Sequence, residues 1–351
     1  MTTITQVTVE PVSRPLDDPF EIALGTRESA RNVLVTVETD AGTVGYGEGS
    51  PLPPVTGETQ EGAVATASAA GTLAEGRNLG DYRALVRDVR SAFPGAVSTT
   101  FAIETAVLDA YCRERDLPLA ALFGGRPTTV STDLTIPIVS PASAARRAER
   151  AATAGFDDLK VKAGSNLEDD VERVLAVHEA APDAALKVDA NQGWTPKETR
   201  RFVTELRNHG VELAVLEQPV RSDDVAGLAR VRDHVDVPVA ADEAVFTPGD
   251  AIGIVRQHAA DVLNVKLGKS GLLGAAQIAA VAEAANLELM VGCMLESAIG
   301  IHASAHLVAG MGTFEYVDLD GNLLLAEDVV DTEFGPDIRP RGPGHGITPA
   351  Q

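Results

Sequence analysis

From Thr129 onward, short apolar runs alternate with segments of helical periodicity, and the runs end in charged residues. Their ends fall near Lys162, Asp189, Glu217, Asp242, Lys266, Glu296 and Asp320, in steps of 24 to 30 residues, the length of one strand plus one helix. A preceding run, Ser131–Ile138, makes eight expected strands. Eight regular units predict a closed parallel barrel of the TIM type, because a doubly wound sheet usually has fewer strands and a glycine-rich phosphate loop near its start. The chain before Thr129 is patterned differently. Ile4–Pro11 and Asn32–Glu48 read as strands, the second turning at Asp40-Ala41-Gly42. Ile103, Val107, Leu108 and Tyr111 then share one helical face, and Gly124-Gly125 closes an α+β region.

Charged residues at strand ends matter because barrel enzymes place their sites at the C-terminal ends of the strands. Asp189, Glu217 and Asp242 close three successive runs. Brought together away from water, three carboxylates repel unless a cation neutralises them. Oxygen ligands without histidine or cysteine suit Mg²⁺, with Mn²⁺ as its usual substitute. Each acid taken singly also reads as a cap for the next helix, a role that Glu217 fits least.

The chain has only six lysines against 23 arginines. A lysine retained in such a chain is suited to what arginine cannot do, which is to lose its proton. Lys160 and Lys162 flank Val161, so on a strand both point to one side, and crowding with desolvation predicts a lowered pKa for at least one. Lys266 lies four strands farther round, across the mouth from Lys162. Buried ion pairs between these lysines and the acids are the structural alternative. Lys187, Lys197 and Lys269 read as surface or structural charge.

Overall charge narrows the partners. At −22 the chain repels nucleic acid and anionic membranes over most of its surface, and many acids with few lysines suit a high-salt habitat, where self-repulsion is screened. Cys112 and Cys293 sit in apolar stretches without metal or redox spacing. The β-like alternation of residues 1–10 is unlike a signal peptide, so the cytoplasm is expected. Glu283 and Glu288 interrupt the apolar region from Gly271 to Leu295, which reads as a buried helix and strand.

The segments Lys160-Val-Lys162, Val188-Asp189-Ala-Asn-Gln-Gly-Trp194, Leu216-Glu217-Gln-Pro219, Ala241-Asp242-Glu243 and Asn264-Val-Lys266-Leu-Gly-Lys269-Ser-Gly271 together resemble the muconate-lactonizing subgroup of the enolase superfamily. The resemblance spans nearly the whole chain. It implies an α/β fold: a modified TIM barrel, (β/α)7β, over 126–320, an N-terminal α+β capping domain over 1–125, and a segment, 321–351, returning to the cap. It implies Mg²⁺ on Asp189, Glu217 and Asp242, opposed acid–base lysines Lys162 and Lys266, Lys160 beside the enolate oxygen, and Asn191 and Glu243 holding ligands or Lys266 in place. Val317-Asp318-Leu319-Asp320 puts two carboxylates on one side of the last strand. In dipeptide epimerases of this family an Asp-x-Asp here binds the substrate ammonium, and two carboxylates attract an amine while repelling a dianion.

The expected activity is therefore epimerisation of a dipeptide at its C-terminal residue. An N-acylamino acid racemase or o-succinylbenzoate synthase is the nearest alternative, and a non-catalytic, metal-stabilised binding barrel the more distant one. Thr135 and Glu296 are added as candidate substrate contacts. Family members acting on Ala-Glu carry an arginine in an Ala-Leu-Arg-Thr segment of the first long loop. Here the segment reads Ala23-Leu24-Gly25-Thr26, with Arg27 displaced by two, so a neutral or apolar C-terminal residue is expected. A homo-oligomer is the common assembly of such enzymes.

Overall fold

The computed structural model describes residues 2–350. An antiparallel sheet comes first: β1 (Ile4–Ile22), β2 (Gly25–Thr39) and β3 (Val44–Gly49), in that order. It packs on α1 (Pro53–Thr56), α2 (Gln60–Ala74), α3 (Tyr82–Ala92) and α4 (Val97–Glu114). β4 (Val130–Ser131) leads to the parallel strands β5 (Leu134–Ile136), β6 (Asp158–Lys162), β7 (Ala185–Asp189), β8 (Val215–Glu217), β9 (Val239–Ala241), β10 (Val262–Lys266), β11 (Glu288–Gly292) and β12 (Tyr316–Asp318). These eight form one sheet in sequence order. Its ends meet where Asp133 N donates to Val317 O (3.3 Å) and Leu319 N to Thr132 Oγ1 (2.7 Å), nearly closing a barrel.

Helices α5 (Pro141–Thr153), α6 (Leu167–Ala180), α7 (Pro196–Asn208), α8 (Val225–Arg232), α9 (Pro248–Gln257), α10 (Leu267–Ala284) and α11 (Ala298–Met311) follow β5 to β11 in turn. Local chemistry starts them. Thr195 with Glu198 and Thr247 with Asp250 form capping boxes, and Pro196 and Pro248 occupy the first helical position. The apolar region from Gly271 to Leu295 becomes the body of α10 followed by β11; among the described residues no helix is long and apolar enough to cross a membrane.

Three boundaries differ from the sequence reading. The hairpin of β1 and β2 is much longer than Ile4–Pro11 and the start at Asn32 suggested. Pro11, Pro15 and Pro19 obscure it, yet β1 is an edge strand, where missing amide donors are tolerated. The expected run Ser131–Ile138 divides: β4 pairs antiparallel with β13 (Asp337–Ile338), and only β5 joins the barrel. The seventh barrel strand stops at Gly292, four residues before Glu296. At the C-terminal end, Arg113 Nη2 donates to Ile347 O (2.6 Å) and Leu119 N to Gly344 O (2.8 Å), laying the last residues against the end of α4.

The cap is held by a close fit of small residues. Gly45, Gly47 and Gly49 lie on one face of β3, and Ala102, Ala106 and Ala110 form the facing stripe of α4. A Cβ on Gly47 would lie 2.1 Å from Ala102 O and 2.5 Å from Ala106 N. Gly47→Ala should therefore push strand from helix and cost roughly 1–3 kcal/mol. A lower urea midpoint by circular dichroism is expected; an unchanged one would mean the contact is slack.

Candidate active site

Strand alternation places Lys160 and Lys162 inside the barrel while Val161 packs outward among the helices. Both lysines are buried, at 1% and 7% exposure. Lys160 Nζ lies 2.6 Å from Glu217 Oε2, 2.6 Å from Asp318 Oδ2 and 3.4 Å from Asp189 Oδ2. Lys162 Nζ is 2.6 Å from Asp189 Oδ2, and Lys266 Nζ, on the opposite wall, is 2.8 Å from Asp242 Oδ2. The ion pairs weighed as a structural alternative are thus present. They surround a carboxylate cluster: one oxygen each of Asp189, Glu217 and Asp242 lie within 4.8 Å of one another, all buried.

Electrostatics shows what the cluster lacks. Burial and the neighbouring Asp189 push the Glu217 carboxyl up to about 8, against the pull of Lys160. Glu243 rises to about 7 through burial and the charges of Asp242 and Asp189. Burial opposes charge on Lys160 and Lys266, but the surrounding carboxylates outweigh it and raise both. The lowering expected from crowding is therefore not found at Lys160, because acids outnumber amines around it. Three convergent hard oxygens with uncompensated negative charge fit a divalent cation such as Mg²⁺.

Neighbours fix the donors. Asn264 Nδ2 donates to Glu217 Oε1 (2.7 Å), Asn191 N to Asp189 Oδ1 (2.8 Å), and Asn191 Nδ2 to Glu243 Oε1 (3.2 Å). Lys269 corrects the sequence reading of a solvent or helix charge. It is 3% exposed, and its Nζ donates to Asp242 Oδ1 and Asp242 O, both at 2.5 Å, and to Asn264 O at 3.1 Å. Gly271, at φ +66°, breaks the helical path just after Lys269 and sets the first turn of α10 apart. Lys187 is buried as well, paired with Asp133 at 3.0 Å, a partner the strand-end pattern did not single out.

A cavity that opens to solvent lies above these groups, the space including its mouth being about 730 Å³. Lys162, Lys266, Asp242, Asp318, Asp320, Thr135, Asn191 and Glu243 line it from the barrel, and Arg27 from the cap. Lys160 lies beneath, outside the lining. Glu296 is fully buried and also outside it; its Oε1 accepts from Met294 N, and burial with the nearby Glu48 pushes it up to about 8. Glu48, which sequence reasoning missed, reaches from β3 to accept from Ser297 N, Ser297 Oγ and Gly300 N, tying the cap to the start of α11. Its only signal in the sequence was an acid between two glycines.

Residues 4–124 match the family model for the mandelate racemase / muconate lactonizing enzyme N-terminal domain, and residues 143–351 that for the enolase C-terminal domain-like fold. The L-Ala-D/L-Glu epimerase of Bacillus subtilis is 36% identical over 98% of this chain and 96% of its own. A hydrophobic dipeptide epimerase of Enterococcus faecalis is 40% identical over 90% of each. The structure of a dipeptide epimerase from Enterococcus faecalis V583, complexed with Mg and L-Leu-L-Tyr, superposes with a TM-score of 0.93 at 37% identity, covering 99% of both chains. The chain belongs to the enolase superfamily.

Within this enolase-superfamily chain the cap supplies an apolar roof of Phe20, Ile22, Leu24, Leu52 and Val55. Ala23 and Leu24 form the tight turn between β1 and β2, and Phe20 pairs with Arg27 across the ladder, so the first long loop is a hairpin. Gly25 follows at φ +120°, where a side chain is strained. Arg27 is half-buried at the rim, donating to Thr26 O at 3.2 Å.

Glu217 gives the site a testable pH dependence. Its carboxyl is raised, so it is neutral below about 8 and must lose a proton before it can ligate a cation. Mg²⁺ affinity measured by calorimetry should rise by up to about tenfold per pH unit between pH 6 and 8, then level off. A flat profile would show that Glu217 is already charged in the metal-free protein.

Proposed function

We propose that this protein is a Mg²⁺-dependent dipeptide epimerase, moving a proton on and off the α-carbon of the C-terminal residue through an enediolate. One observation carries the reading: Lys162 on β6 and Lys266 on β10 enter the same cavity from opposite walls of an eight-strand barrel, with a carboxylate cluster between them. Passive binding needs no pair of opposed proton carriers.

In this reading Asp189, Glu217 and Asp242 hold the ion, with Asn191, Glu243 and Lys269 restraining the ligands. When bound, Mg²⁺ supplies the positive charge that offsets these carboxylates, loosens their hold on the lysines and stabilises the enediolate oxygens. Lys162 removes the α-proton from one epimer and Lys266 returns a proton on the other face; the opposite epimer reverses the roles. Lys160, pinned below by Glu217 and Asp318, adds fixed positive charge beside the carboxylate that becomes the enediolate. Asp318 and Asp320 receive the α-ammonium. Their two charges disfavour the extra carboxylate of a succinyl substrate, which ranks N-acylamino acid racemase and o-succinylbenzoate synthase activity second.

The apolar roof favours an uncharged C-terminal side chain, since Gly25 offers no partner to a glutamate and Arg27 stands at the rim. The reading also places the enzyme in the cytoplasm, as a homo-oligomer that accepts Mn²⁺, its acidic surface suited to high salt.

Incubation with a mixed dipeptide library and Mg²⁺ in D₂O tests the reaction. Deuterium at the C-terminal α-carbon is expected, and none from any member would sink the proposal. Lys162→Ala and Lys266→Ala should each lose on the order of 10²–10⁴ in epimerisation rate; exchange retained in both would refute the two-lysine mechanism. L-Ala-L-Leu should outperform L-Ala-L-Glu, and the reverse by a wide margin would overturn the specificity.

A further inference from the structure

A second cleft, open to solvent, lies beside the active-site cavity and shares Phe20, Thr135 and Leu324 with it. Thr135 is the junction. Its N–H donates to Asp320 Oδ2 at 2.6 Å, and its hydroxyl to Asp318 Oδ1 at 3.5 Å, so the acids assigned to the ammonium lie against the wall that divides the two spaces. In a dipeptide the amino nitrogen is one bond, about 1.5 Å, from the α-carbon that bears the first side chain. A side chain that leaves that carbon on the Thr135 side would enter this cleft.

Past this junction Leu134, Pro137, Leu323 and Phe334 form an apolar part of the wall, and Asp17, Asp18, Arg147 and Arg150 a charged part. Phe334 packs edge-on against Phe156 at 5.6 Å, and the Arg150 guanidinium lies over its ring at 4.7 Å. The charges at the rim balance. Arg147 is paired with Asp18 at 2.7 Å, while Arg150 and Asp17 are one of each sign. Neither an acidic nor a basic side chain finds a net attraction there, whereas an apolar one leaves water.

We propose that this cleft is the compartment for the side chain of the substrate's N-terminal residue, and that it selects bulky apolar residues at that position. The proposal rests on the dipeptide epimerase reading and adds the half of the substrate that does not react. Phe334 is 40% exposed, so its truncation leaves the core intact and isolates the compartment.

The test compares kcat/KM for L-Leu-L-Leu, L-Phe-L-Leu, L-Ala-L-Leu and L-Glu-L-Leu in the wild type, Phe334→Ala and Phe334→Leu, all as the Mg²⁺-loaded enzyme. In the wild type the Leu and Phe substrates should exceed the Ala substrate by about tenfold. Phe334→Ala should reduce that ratio at least about fivefold, and Phe334→Leu should restore most of it. A ratio unmoved by Phe334→Ala, or L-Glu-L-Leu as the best substrate, overturns the compartment while leaving the epimerase reading standing. Failure of every dipeptide to exchange its α-proton removes both.

Discussion

The structure depends on balancing charge where water is excluded. Seven buried carboxylates, Asp133, Asp189, Glu217, Asp242, Glu243, Asp318 and Asp320, share the barrel interior with five buried lysines, 160, 162, 187, 266 and 269. Ionised together, they fall short by two positive charges, the charge of one divalent cation. Without a cation, protons absorb part of the shortfall: Glu217, Glu243 and Asp320 are pushed up to about 8, 7 and 6. The best-paired acids move the other way. Burial works against Asp318, yet Lys160, Lys266 and Lys162 hold it at about 2, and Lys266 with Lys269 keeps Asp242 well below the usual range. Glu217, with Lys160 2.6 Å away, and Asp133, with Lys187 3.0 Å away, are raised by burial all the same, so a carboxyl is lowered only where the lysines around it outweigh burial.

A barrel suits such a network because parallel strands deliver side chains to one rim at fixed spacing. Register aligns Lys162 with Asp189 and Asp189 with Glu217 across neighbouring strands, so strand pairing sets two of the three clustered carboxylates, and Asp242 follows β9 directly. The cap is held together by separate means, through the glycine face of β3 on α4, and is tied to the barrel by the buried Glu48 at the start of α11. Roof and floor therefore rest on different interactions.

Much of the floor was legible in the sequence because its signal is periodic. Strands ending in Lys162, Asp189, Glu217 and Lys266 were placed at their final residue, and Asp242 one residue beyond its strand. What stayed hidden depended on geometry that breaks the period. Lys269 turns inward at a helix start interrupted by Gly271; three residues past Lys266 it had looked like ordinary helix charge. Glu296 was read at a strand end, but its strand stops at Gly292 and the following turn carries the acid behind the cavity wall. The hairpin carrying Phe20 and Leu24 read as a loop because prolines hid its ladder. Asp133 escaped because it precedes its strand, whereas the periodic signal lies at strand ends.

The same division explains how one reaction can serve different substrates. Any change among the lysines and acids of the floor leaves a buried charge without its partner, a loss that commonly costs several kcal/mol. Phe20, Ile22, Leu24, Leu52 and Val55 carry no charge and take no part in that balance. Replacing one by another apolar residue would alter the space under the roof and leave Lys162 and Lys266 where they are. At Gly25 the backbone adds its own restriction, since φ +120° is open to glycine and strained for arginine. An arginine there would strain the hairpin turn, so on the proposed reading the C-terminal side-chain preference would rest partly on backbone conformation.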